Sequence, residues 1–180
     1  MEVLNLEAKD IQEAEVLFER YEAIDGTIYD MSPPPSSQHQ TVVGNLYREI
    51  SVYLKGHACR VFPAPFGVWM TSDEQEHVEP DITVVCDREK IHTKGYVGVP
   101  DFIVEVLSPS TAVKDKTVKL RLYRKAGVRE YWIIDPSNEI VEVYPLQDST
   151  VGEPQVYGKN AIVNVGIFDD LSINLTDIFS

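Results

Sequence analysis

The sequence predicts an α/β domain: a central mixed β-sheet flanked by helices, with an N-terminal hairpin and extra C-terminal strands. Three observations carry this. Two short apolar runs, each opened by proline and aspartate, read as strands buried on both faces: Pro80-Asp81-Ile82-Thr83-Val84-Val85 and Pro100-Asp101-Phe102-Ile103-Val104-Glu105-Val106-Leu107. The stretches 38–55 and 112–126 keep the apolar spacing of helices. The stretches 128–135 and 139–145 read as paired strands across Pro136-Ser137-Asn138.

The remaining elements follow in chain order. A short helix is predicted over 10–20 from Ile11, Ala14, Val16 and Leu17. Asp25-Gly26, flanked by β-type residues over 21–29, predicts a hairpin closed by a type I′ turn. Pro33-Pro34-Pro35 is a stiff connector, since proline fixes φ and lacks an N–H donor, and Ser36 or Ser37 is placed to cap the next helix. That helix has Val42, Val43, Leu46, Ile50 and Leu54 on one face and Gly56 as its stop. His39 lies on the same face and Glu49 at its edge. A strand over 60–70 is interrupted by Pro63 and Pro65, a polar loop covers 71–78, and a charged connection covers 87–99. Ser108 to Thr111 make the turn and N-cap of helix 112–126, which Gly127 closes. Weaker strands are expected over 155–157 and 161–165, and 171–175 alternates. With no repeat and no low-complexity segment, the 180 residues read as a single domain, with 1–35 an N-terminal extension and 36–136 the core.

Composition narrows the function classes. A hydrophobic content of 43% and a charged content of 25% are those of a soluble globular protein, and no apolar run is long enough for a bilayer. The start, Met1-Glu2-Val3-Leu4, lacks the basic region of a signal peptide. Cys59 and Cys86, both in apolar strand-like settings, read as buried free thiols, and a cytoplasmic location is expected. A net charge of −13 argues against a protein that coats nucleic acid but leaves room for a local basic surface. Lys114, Lys116, Lys119, Arg121, Arg124 and Lys125 fall in one segment, as either a solvated helix face or a phosphate-binding surface.

The chemistry centres on Asp81, Glu105 and Lys119. A carboxylate among the apolar neighbours of Glu105 is costly unless paired, protonated or bound to a cation. On a wheel at about 100° per residue, Lys119 falls inward with Ala112, Val113, Leu120, Tyr123 and Ala126, while Lys114, Arg121 and Lys125 fall on the opposite, solvated side. Two carboxylates suit a hard divalent cation, and a nearby lysine suits charge developing on a phosphate.

These residues carry a resemblance. The order of elements resembles the PD-(D/E)xK restriction-endonuclease-like superfamily. More closely, Pro80-Asp81, Glu105-Val106-Leu107-Ser108-Pro109-Ser110-Thr111, Lys119, Tyr123 and Gly127-Val128-Arg129-Glu130-Tyr131-Trp132-Ile133-Ile134-Asp135 are similar to the Uma2 family of endonucleases, with Tyr21-Glu22-Ala23-Ile24-Asp25-Gly26 and Ser32-Pro33-Pro34 with His39 similar to its N-terminal half. The resemblance implies a restriction-endonuclease-like fold and a Mg²⁺- or Mn²⁺-dependent endonuclease acting on DNA. Asp81, Glu105 and the Val106 carbonyl would be metal ligands, Lys119 the catalytic lysine, and homodimerisation is expected by analogy. His39, Glu22 and Glu49 are subsidiary candidates. One departure is that the superfamily's usual lysine position, two residues after the glutamate, holds Leu107. The alternatives are a non-catalytic binding or assembly module of the same fold, and a hydrolase of a small phosphorylated substrate.

Overall fold

Asp25 and Gly26 both take positive φ (48° and 73°), the backbone of a type I′ turn, so the predicted hairpin forms where the sequence places it. The computed structural model describes residues 3–5, 20–31, 34–71, 76–146 and 153–180; all but the last residue of the helix expected over 10–20 lies outside them. In chain order the elements are β1 (Val3–Asn5), β2 (Tyr21–Ile24), β3 (Thr27–Asp30), α1 (Ser37–Tyr53), β4 (Arg60–Pro63), β5 (Gly67–Trp69), β6 (His77–Val78) and β7 (Ile82–Val85). A 3₁₀ turn (Arg88–Lys90) leads to β8 (Ile91–His92), β9 (Gly95–Val97) and β10 (Phe102–Val106). The helix α2 follows in three joined pieces, Ala112–Lys114, a π-helical turn Asp115–Lys119, and Leu120–Ala126. Then come β11 (Glu130–Asp135), β12 (Ile140–Pro145), β13 (Gln155–Gly158), β14 (Ile162–Asn164), β15 (Ser172–Asn174) and α3 (Leu175–Ile178).

The central sheet is six-stranded and mixed, in the order β13-β12-β11-β10-β7-β4. Only β10 and β11 run parallel there, and such a pair needs a crossover, which α2 supplies. Side chains alternate across this sheet. Phe102, Val104 and Val106 of β10, with Trp132 and Ile134 of β11, face α1, α3 and the β14–β15 ribbon. Ile103 of β10, with Tyr131 and Ile133 of β11, faces α2 and a second, seven-stranded sheet that contains β2, β5, β6 and β9. Glu105 has the parity of Ile103, so this alternation sends its carboxylate toward α2 and β2.

Ser36 caps α1, its side chain accepting from the His39 N–H, and α1 buries His39, Val42, Val43, Leu46 and Ile50 as its spacing predicts. Gly127, at φ 93°, closes α2 in the left-handed region that glycine enters without penalty.

Several expectations are corrected. The strand expected over 60–70 divides at Pro63 and Pro65 into β4 and β5, which belong to different sheets. The loop expected over 71–78 ends in β6, and the connection over 87–99 contains β8 and β9. Cys59 and Cys86 are not free thiols but a disulfide. They extend the antiparallel β4–β7 register by one step beyond Arg60↔Val85, so the two sulfurs face each other across the strand pair. The thiol pattern therefore lends no support to a cytoplasmic location.

The uniform helical wheel also fails along α2. Val113, expected inside, is 78% exposed, and Lys114, expected in water, is buried. In a regular α-helix Lys114 and Lys119 would lie about 140° apart. The π turn between them adds a residue to that turn and brings both onto the side that faces the sheets.

Candidate active site

Four carboxylates and two lysines meet where β2, β7, β10 and α2 converge. Lys119 is the hub: its Nζ lies 2.7 Å from Glu105 Oε1, 2.7 Å from Glu22 Oε1 and 3.7 Å from Asp115 Oδ1. Lys114 Nζ donates to Glu22 Oε2 at 2.6 Å and sits 5.2 Å from the centre of the Tyr29 ring. The Tyr123 hydroxyl donates to Glu105 Oε1 at 2.8 Å, and the Glu79 N–H donates to Glu22 Oε1 at 3.0 Å. Asp81 stands just before β7. Its Oδ2 accepts the Val106 N–H at 2.8 Å and lies 3.2 Å from His39 Nε2. Asp81, Glu105, Lys119 and His39 all line one cleft of about 580 Å³.

Burial sets the electrostatics. Glu22 is fully buried, which by itself raises its pKa, but Lys119 and Lys114 more than offset this and hold the carboxyl down at about 2. Glu105 goes the other way. Burial is the largest cause, Asp115, Asp81 and Glu22 add repulsion, and the opposing pull of Lys119 leaves it pushed up to about 8. Burial likewise raises Asp115. Burial would neutralise Lys119, but Glu105, Glu22 and Asp115 keep its ammonium charged well above its ordinary range. For His39 burial acts downward, yet the hydrogen bond to Asp81 and its charge raise the imidazole above its usual value.

Glu22 yields a pH prediction. Its folded pKa lies below the unfolded value of 4.5, so its stabilising contribution is complete above that pH and is lost as pH falls toward about 2. Urea denaturation across this window is expected to show an acid-induced fall in stability that Glu22→Gln makes shallower.

The donor set fits a divalent cation. Both hydrogen bonds to Asp81 fall on Oδ2 and both to Glu105 fall on Oε1, which leaves Oδ1 and Oε2 for a ligand. Asp115, Asp81 and Glu22 repel the charged form of Glu105, and a divalent cation bound beside it would offset that repulsion. Among the described residues no group of three or more His, Cys, Asp and Glu side chains is arranged to hold a metal, so the fit rests on two carboxylates and on an ion that keeps several waters.

Of the residues expected from sequence, Asp81, Glu105, Val106, Lys119 and His39 come together at the cleft. Glu22 takes a more central place than its subsidiary standing suggested, as the shared partner of both lysines. Glu49 is not brought to the cleft; it pairs with its neighbour Arg48 on α1. Sequence reasoning missed Lys114 because the π turn is invisible to a regular wheel. Among the described residues no helix is long and apolar enough to cross a membrane.

Known proteins resemble this chain in sequence and in fold. A family model described as "Uma2: Putative restriction endonuclease" matches residues 11–176. Two Synechocystis proteins are similar in sequence. "Uncharacterized protein slr1290" is 30% identical over 142 residues, covering 79% of this chain and 67% of its own length. "Uncharacterized protein sll1609" is 29% identical over 162 residues, covering 86% and 88%. A crystal structure from Anabaena variabilis, described as a "putative nuclease belonging to DUF820", superposes with a TM-score of 0.72 at 25% identity, covering 88% of this chain and 89% of that one. The fold is that of the restriction-endonuclease-like nucleases.

Proposed function

Taking as premise that this chain belongs to the Uma2 family, we propose that it is a Mg²⁺- or Mn²⁺-dependent endonuclease that hydrolyses DNA phosphodiester bonds. The observation that carries this reading is the convergence of Asp81, Glu105 and Lys119 in one cleft, although Lys119 comes from a helix and not from the strand position that Leu107 occupies. Asp81 and Glu105 would hold the cation, with the Val106 carbonyl a further ligand by family analogy. Bound there, the ion supplies Lewis-acid polarisation of a phosphoryl oxygen.

The chain's own residues do the rest. The Val106 N–H fixes the Asp81 carboxylate, and Tyr123 fixes that of Glu105. Glu22 and Glu105 grip Lys119 so that its ammonium stays charged and aimed at the cleft floor, where it can donate to a phosphate oxygen as negative charge builds there. The sign of a non-catalytic module would be a Lys119 side chain pointing away from Asp81 and Glu105 together with no cation affinity; Lys119 meets Glu105, and cation titration tests the rest. A cleft of about 580 Å³ also suits a small phosphorylated substrate, and a plasmid assay separates the two. Relaxation of supercoiled plasmid in Mn²⁺ is expected, with loss on chelation by EDTA and return on adding excess Mn²⁺. Relaxation that persists in EDTA would sink the metal-dependent reading, and no relaxation at all would sink the endonuclease reading.

A further inference from the structure

The reacting groups lie deep in a cleft with stiff walls. Glu105 is 4% exposed, and Lys119 and Asp115 are 2% exposed. Five prolines line the cleft, Pro34, Pro35, Pro65, Pro109 and Pro136, each with φ fixed by its ring. Gln38 at the start of α1 donates from Nε2 to the Pro136 carbonyl at 2.9 Å, tying two of these wall segments together. The lining is also poor in free positive charge. Acidic residues outnumber basic ones five to three, Lys114 and Lys119 are committed to carboxylates, and Arg20 donates from Nε to Glu79 at 2.9 Å.

Duplex DNA is rigid, and proteins hold it through several cation–phosphate contacts along the backbone. Among the described residues this cleft offers no row of uncommitted cations for that, and its reacting groups are buried. A single strand is thin and flexible enough to bring one phosphate past the rim to Glu105 and Lys119. Met31, half-buried in the same lining, gives an unstacked base an apolar contact.

Resting on the endonuclease reading, we infer that the cleft takes single-stranded nucleic acid, as a free strand, an overhang, a frayed end or a stretch opened by negative supercoiling, and not the interior of a linear intact duplex. In Mn²⁺ the wild-type chain would be given a labelled single strand, the blunt duplex of the same sequence, and that duplex with a single-stranded overhang. Freeing a nucleotide from a stacked duplex is unfavourable, so cleavage of the single strand about 100-fold faster than the blunt duplex is expected, with cuts in the third substrate confined to its overhang. Equal cutting within the blunt duplex would overturn this inference and leave the endonuclease reading standing. Failure to cut any of the three would overturn both.

Discussion

Asp81→Asn is expected to lower Mn²⁺-dependent DNA cleavage on the order of 1,000-fold while leaving the fold intact. Several kcal/mol of transition-state stabilisation come from a bound cation, and each 1.36 kcal/mol is about tenfold in rate. The substitution removes a negative charge from the cation site and from beside His39. An asparagine carbonyl oxygen can still accept the Val106 N–H, and at 19% side-chain exposure the position is near water. The change in folding stability is therefore expected to stay within about 1 kcal/mol, the net worth of a hydrogen bond. Cleavage rates and urea midpoints measured on one preparation check both halves. Unchanged cleavage would remove Asp81 from the site, and unfolding would make its role structural.

Lys119→Met is expected to behave differently, destabilising the protein by about 3–5 kcal/mol, because removing one partner from a buried ionic cluster strands the others. Three carboxylates, those of Glu22, Glu105 and Asp115, surround the ammonium, all at least 96% buried. Domains are stable by only about 5–15 kcal/mol, so the loss is a large share of the total. Deprived of Lys119, these carboxylates are penalised when charged and relieved when protonated. The destabilisation is thus expected to be smaller at pH 5 than at pH 8, by urea denaturation at both. A loss that does not depend on pH would point to packing and not to charge. Inactivity of a Lys119 variant thus speaks to catalysis only where the variant is shown to be folded, and Asp81→Asn is the cleaner probe.

What the sequence made legible follows from what is local. Glu105 stood out because a charge in a two-sided apolar strand demands a partner, and the alternation of β10 sends it toward Lys119. The caps and turns at Ser36, Asp25-Gly26 and Gly127 were legible because each needs a particular residue type at a particular backbone angle. What was not legible depends on tertiary placement. Glu22 is central only because the second sheet folds over α2, a contact with Lys114 across 92 positions. Lys114 depends on a π turn that breaks helical periodicity. Cys59 and Cys86 looked like separate apolar thiols until the β4–β7 register set them side by side. Strands as short as β6 and β8, two residues each, have no period to detect.

The central claim, that Asp81 and Glu105 together hold a divalent cation, is tested most directly by calorimetric titration of Mn²⁺ into the wild type, Asp81→Asn and Glu105→Gln. Saturable binding in the wild type, weakened at least about tenfold in each variant, is the predicted result, since each substitution removes one of only two carboxylate ligands. Absence of binding in the wild type, or equal binding in all three, would contradict it.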